Sequence, residues 1–243
     1  NGRIHVLKNI AFPSILEALS GDGLEKLKKD DPTTLNQGFK GNEKQQRHTT
    51  LTYQHRMHPD ISAFPRGQFY PKGVLSDGSQ TVSDRAWGYK RYKTRSTWVN
   101  IKGETFKNSN VKEVKATVSE LKCFCEWAEG KKKNNKGESY DVAILTFYKG
   151  QEKCLSEELS KLPGNKGQRA RFKYKGISIK LATVDYFQGQ EADVVFLSMV
   201  NTKRDGFMDS PNRLNVSITR ARFQLVIVGD NEYFSKKNKF SRI

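Results

Sequence analysis

The chain has no apolar run approaching the roughly 18 residues of a membrane-crossing helix, which argues against a helical membrane protein. Three cysteines in 243 residues are too few for a disulfide framework and suit a reducing, intracellular compartment, cytoplasmic or nuclear. The opening Asn1-Gly2-Arg3 carries neither a methionine nor a signal-peptide pattern, so a fragment is expected. Acid is scarce: 26 Asp and Glu stand against 43 Lys and Arg, and the net charge of +17 points to a polyanionic partner, most often nucleic acid. Wholesale disorder is excluded by what is present, since aromatics make up 11% of the chain and apolar runs recur along it.

A further absence is chemical. Gly73 and Gly78 have the glycine spacing of a phosphate-binding loop, but Ser79-Gln80 follow where Lys and Ser or Thr are required. The chain is therefore not expected to hold ATP by itself in that manner. His55 and His58 lie three apart with no cysteine or third histidine nearby, so no zinc site is expected. Cys123 and Cys125, two apart on a helical pattern, diverge and make a poor metal pair.

Residues 1–49 read as a linker with a short helix over Phe12–Leu19, and residues 50–243 as one α/β domain. Short apolar strands are expected at Asp141–Phe147, Ile177–Val184, Asp193–Val200 and Leu225–Gly229. Helical spacing marks Asn110–Glu129, Gly150–Leu162 and Pro211–Ala221. Nearly unbroken apolar strands alternating with helices imply a mostly parallel sheet covered on both faces. Ligands of such sheets bind beyond the carboxyl ends of the strands. Three strands here run into polar ends: Tyr148–Gln151, Asp185–Glu191 and Gly229–Asn231.

Two stretches, Arg85–Lys102 and Gly164–Lys180, hold six cations each and no acid, and basic loops are expected near 131–139 and 163–176. In the first, Trp87, Tyr89, Tyr92 and Trp98 lie among the cations. Charge for phosphates and rings for bases is the pattern of a single-strand surface. A basic edge strand with its aromatics anchored inward would read the same way. Further on, Arg213–Arg222 has helical spacing that puts Ser217 and Arg220 on one face. Such an arginine either reaches phosphates across an interface or belongs to a basic helix packed on the sheet.

Four strings carry a family resemblance: LTYQHRMHPDISAFPRGQFY (Leu51–Tyr70), ILTFYKGQ (Ile144–Gln151), TVDYFQGQEADVVFLSMV (Thr183–Val200) and RLNVSITRARFQLVIVGD (Arg213–Asp230). In order and spacing they resemble superfamily 1B helicases of the nonsense-mediated-decay (Upf-type) group, over roughly residues 50–234. The resemblance implies the second of two RecA-like motor domains, with the first such domain of the same protein as partner. It implies ATP with Mg2+, bound mainly by that missing first domain, and single-stranded RNA or DNA as the track. By the same resemblance Gln54 and His55 border the adenine, Arg56 reaches the γ-phosphate, Gly189 and Glu191 lie at the nucleotide with Glu191 on the ribose, and Arg220 is an arginine finger with Arg222 as helper. Arg56 and Arg220 are then the catalytic pair. Thr146, Tyr148 and Gln151 would contact the nucleic-acid backbone, with Thr183, Asp185 and Gln188 linking that grip to the nucleotide.

Two departures stand out. His55 replaces a common tyrosine, and Thr146-Phe147-Tyr148 replaces Thr-Pro-Tyr, which alters the backbone of the grip. Two alternatives remain open at this stage. A nucleic-acid-binding or remodelling module without strand separation would fail a strand-displacement assay. A degenerate interaction scaffold would have no need to keep Arg56, Glu191 and Arg220 together.

Overall fold

The computed structural model describes residues 51–70, 72–133, 137–202 and 211–236, without the side chains of residues 211 and 212. The expected linker 1–49, its helix over Phe12–Leu19 and the centre of the 131–139 loop lie outside these.

Strand β1 (Tyr53–Gln54) pairs in parallel with β2 (Ser76–Asp77) across helix α1 (Pro59–Phe69). His58 caps that helix, its Nδ1 accepting from the Asp60 amide at 3.2 Å, and Pro59 takes the first-turn position where no N–H is needed. The main sheet has six strands: β3 (Ser96–Asn100), β4 (Asp141–Thr146), β5 (Arg171–Tyr174), β6 (Ile177–Thr183), β7 (Ala192–Ser198) and β8 (Ala221–Gly229). Their order is β3-β8-β7-β4-β6-β5. Every neighbouring pair is parallel except β5, which closes one edge antiparallel to β6. This is the α/β, RecA-like, mostly parallel sheet the apolar strands imply.

Side chains alternate between two cores, although the strands read as unbroken apolar runs. Val142 and Ile144 of β4, with Val194 and Phe196 of β7, pack under α2 (Val111–Ala128) and α3 (Lys149–Leu159). Ala143, Leu145, Val195 and Leu197 face the other way, onto Ile61 of α1, Leu214 and Ile218 of α4 (Pro211–Ile218) and Phe234 of α5 (Asn231–Ser235). Because β3, β4, β6, β7 and β8 are all parallel, their carboxyl ends share one edge of the sheet and their amino ends the other.

The structure departs from the sequence reading at β8. That strand begins at Ala221 rather than Leu225, and α4 stops at Ile218, because Ala221 and Gln224 already pair with Ala192 and Val194 of β7. The aromatics of the 85–102 stretch are a second departure. Trp87 and Tyr89 pack edge-on or tilted against Phe124, Trp127 and Tyr140 at centroid separations of 5.0–6.1 Å, and Tyr89 is buried. Trp98 packs 5.6 Å from Phe234 and donates to the Gly229 carbonyl. These rings belong to the core, where burial is worth more than exposure to a strand of bases.

Candidate functional site

The residues singled out from the sequence separate onto the two edges of the sheet. At the amino edge, the segment 54–57 is knotted by Gln54. Its Oε1 accepts from the Arg56 and Met57 amides at 3.0 and 2.8 Å, and its Nε2 donates to the Met57 carbonyl and to Asp77. That turn projects Arg56 to Glu191, Nε to Oε2 at 2.5 Å, and to the Thr219 carbonyl at 3.1 Å. His55 is exposed, with its ring lying against Gly78, where a Cβ would sit 2.2 Å from Nδ1.

Arg220 follows α4 and precedes β8. Its guanidinium is bonded to neutral oxygens: the Val216 carbonyl at 2.8 Å, the Gln190 carbonyl at 3.1 Å and the Thr219 hydroxyl at 3.5 Å. Burial lowers its pKa, and the neighbouring charge of Arg56 lowers it further. Glu191 lies beside both arginines. Burial pushes its carboxyl up, but the hydrogen bond and charge of Arg56, joined by Arg222, outweigh that and hold it below the usual carboxylate range. Gly189 takes φ +80° in the turn just before Glu191, a backbone state that an L side chain adopts only with strain.

Arg222 has a different setting from the other two arginines. Its Nη2 lies 2.8 Å from Asp141 and 2.7 Å from Asp193, and its Nη1 3.2 Å from Glu191. Lys133 joins the same cluster at 3.0 Å from Asp193. Asp193 is fully buried, and burial together with neighbouring Asp141 raises its pKa to about 6 against the pull of Arg222. The expected helper of Arg220 is thus a bridge among three carboxylates, and both terminal nitrogens are used inside the domain. Asp141 and Asp193 were not singled out from sequence as members of this cluster. Each opens an apolar strand, and only the parallel pairing of β4 with β7 sets them side by side.

At the carboxyl edge the expected grip is mostly interior. Thr146, Gln151 and Thr183 are buried, and Tyr148 is packed into the core. Gln151 spends its amide within the protein, accepting from the Asn110 amide at 2.8 Å and donating to Ser198 Oγ at 2.8 Å. These side chains lie within the edge rather than on its surface. Asp185 and Gln188 are exposed on the connection from β6 to β7, and Asp185 lies 3.3 Å from Arg213. Sequence reasoning also missed Glu113, buried beneath this edge. It receives the Ser198 hydroxyl at 2.7 Å and the Val200 amide at 2.9 Å. Its only signal was an acid within an otherwise apolar helical face.

The sequence profile of the family described as AAA domain matches residues 33–232, most of the chain. Regulator of nonsense transcripts 1 of Dictyostelium discoideum is 32% identical over 192 residues, which is 76% of this chain and 14% of that protein. Human senataxin is 33% identical over 190 residues, 74% of this chain and 6% of that one. ATP-dependent helicase upf1 of Schizosaccharomyces pombe is 28% identical over 196 residues, 76% of this chain and 20% of that protein. The chain therefore spans a fifth or less of each of these relatives. With the parallel sheet, the ordered motifs and these matches in agreement, the chain belongs to the AAA domain family, as a RecA-like C-terminal motor domain of the superfamily 1B, Upf-type group.

Proposed function

We propose that this domain is the second half of an ATP-driven helicase motor. It would receive nucleotide phosphates at the Arg56–Arg220 edge and single-stranded nucleic acid at the opposite edge. The observation that carries the reading is the placement of Arg220. A half-buried cation held by three neutral oxygens, beside a second guanidinium that repels it, is a donor prepared for an anion. Bound ATP with Mg2+ supplies the phosphoanhydride and a partly neutralised phosphate chain. Arg220 and Arg56 would stabilise the charge that develops on the transferred phosphoryl oxygens, and Glu191 would hold Arg56 in place. Gln54 fixes the turn that carries His55 and Arg56, and the exposed His55 ring, seated on Gly78, would meet a base with its outer face. Arg222 acts as a positioning residue, because its nitrogens are already held by Glu191, Asp141 and Asp193.

The chain contains no phosphate-binding loop, so the partner is a first RecA-like domain that carries one. Three free thiols suit an intracellular location. The exposed connection through Asp185, Gln188 and Gly189 runs from the carboxyl end of β6 to the amino end of β7, a short covalent route from track to nucleotide.

Steady-state hydrolysis tests the reading in a protein that joins this chain to a phosphate-loop domain. Arg220→Ala should slow turnover by about 10³-fold or more while nucleotide affinity changes only several-fold, since the loss falls on the transition state. A rate within about five-fold of the parent would overturn the finger assignment. The chain alone should show no hydrolysis above background.

A further inference from the structure

We propose that the turn Phe106–Ser109 is a base-stacking post for single-stranded nucleic acid, with Phe106 as the ring and Lys107 as a phosphate contact. The proposal rests on the nucleic-acid reading of the carboxyl edge and names the surface residues that reading lacks.

The turn closes on itself, with the Phe106 amide donating to the Ser109 carbonyl at 2.8 Å and the Ser109 amide donating to the Phe106 carbonyl at 2.9 Å. Its central residues, Lys107 and Asn108, both take left-handed backbone, φ 45° and 58°. That is type I′ geometry, which usually selects Asn-Gly, and lysine in its first position is strained. The strain is held from three sides. Thr105 Oγ1 donates to the Val200 carbonyl at 2.6 Å, beyond the end of β7. Val200 is itself left-handed at φ 73°, an outlier for a β-branched residue, and its amide is pinned by buried Glu113. On the far side the Asn110 amide donates to buried Gln151. Beneath the turn, Gly150 of α3 lies so close that a Cβ there would sit 2.5 Å from the Lys107 carbonyl oxygen.

On this fixed base Phe106 is 69% exposed, with the Lys107 ammonium 5.3 Å from its ring centroid. A single exposed apolar side chain is ordinary by itself. An exposed ring on a strained, triply anchored turn is not, because strain of this kind persists where it serves a site. The turn also stands at the edge where Thr146, Gln151 and Thr183 are buried, and unlike them it faces outward. A ring offers every base the same π-face and an ammonium reads only phosphate, which suits a track bound without regard to sequence.

The experiment titrates the full 243-residue chain with a fluorescein-labelled oligothymidylate of about 12 nucleotides, and with an abasic strand of equal length, at several salt concentrations. Phe106→Ala and Phe106→Leu should weaken binding of the base-bearing strand about 5- to 100-fold with the salt slope intact, and Phe106→Trp should retain it. The abasic strand should bind the parent and Phe106→Ala equally. Lys107→Gln should reduce the log–log salt slope by about 0.7. Circular dichroism checks that each variant keeps the parent fold. If the parent binds with a salt-dependent affinity but Phe106→Ala binds equally well, or loses the abasic strand to the same extent, the stacking post is overturned while the nucleic-acid reading stands. If the parent shows no salt-dependent binding to either strand, both fall.

Discussion

Arg222 and Arg56 each contact Glu191, yet their substitution should have opposite consequences. The Arg56–Glu191 pair is more than a third exposed on both sides, so solvent screens it and Arg56→Ala should cost about 1 kcal/mol of stability or less. Its effect should appear in turnover. Arg222→Ala leaves fully buried Asp193 facing Asp141 with Lys133 as its remaining cation, which should cost up to about 3 kcal/mol in urea unfolding, clearly more than Arg56→Ala. Glu113 gives a pH prediction at the same scale. Burial raises its pKa to about 7, against the pull of the Val200 amide and the Ser198 hydroxyl. The folded state therefore binds this proton more tightly than the unfolded chain, where an ordinary glutamate titrates near 4.3. Between those values the unfolded chain gives up the proton first, so this residue's contribution falls as pH rises, by about 3–4 kcal/mol in all. Glu113→Gln keeps a neutral partner for Val200 and Ser198. Its stability relative to the parent should improve steadily from pH 5 to pH 8 by denaturant midpoint, on the scale of that loss. A flat difference would show that Glu113 is already ionised in the folded protein at low pH.

Elements explain what single residues do not. The stretch Arg85–Lys102 reads as six cations interleaved with four rings, but Trp87 and Tyr89 close over α2, Trp98 packs on α5, and Arg91 and Arg95 pair with neighbouring side chains. Arg91 pairs with Glu120 at 2.7 Å, and Arg95 lies 5.1 Å from the Trp87 ring. Trp87→Ala should therefore lower stability by about 3–5 kcal/mol while leaving single-strand affinity unchanged in conditions where the variant is folded. Helix α3 offers a second test. Glycine in a helix usually costs about 1 kcal/mol relative to alanine. At Gly150 the order should reverse, because the added methyl would meet the Lys107 and Asn108 carbonyl oxygens rather than a yielding side chain. Gly150→Ala should lower the thermal midpoint and, by displacing the Phe106 turn, weaken oligonucleotide binding with no change in charge. A raised midpoint would show that the turn is not seated on this helix.

Among the described residues, the basic stretches do not share one edge of the sheet. The β5–β6 turn follows Tyr174, which pairs with Ile177 at the start of β6, so Lys173 and Lys175 lie toward the amino edge, away from the Phe106 turn. Lys175 is paired with Glu129 at 3.3 Å. Anisotropy titrations of Lys173→Ala with Lys175→Ala should show the parent salt slope, in contrast to Lys107→Gln, because counterions are released only where phosphates are contacted. A flattened slope for the double variant would place the strand along the other end of the sheet.

The sequence by itself determined four of the parallel strands, three of the helices and the membership of the domain. Apolar runs such as Asp193–Val200 and the three- and four-residue spacing of Asn110–Glu129 are local properties, and four ordered motifs are a property of the chain. It also named Arg56, Glu191 and Arg220, which the fold then brought together from distant segments at the amino edge of the sheet. Only the tertiary structure decided which groups face outward. Thr146 and Gln151 look available as strand-end polar residues, but the fold buries them, and burial depends on segments that local sequence does not specify. Arg222 and Arg220 are two residues apart and alike in chemistry. One is tied among Asp141, Asp193 and Glu191, and the other is held by neutral carbonyls and a hydroxyl. That difference comes from the parallel pairing of β4, β7 and β8, which sets strand starts far apart in sequence side by side.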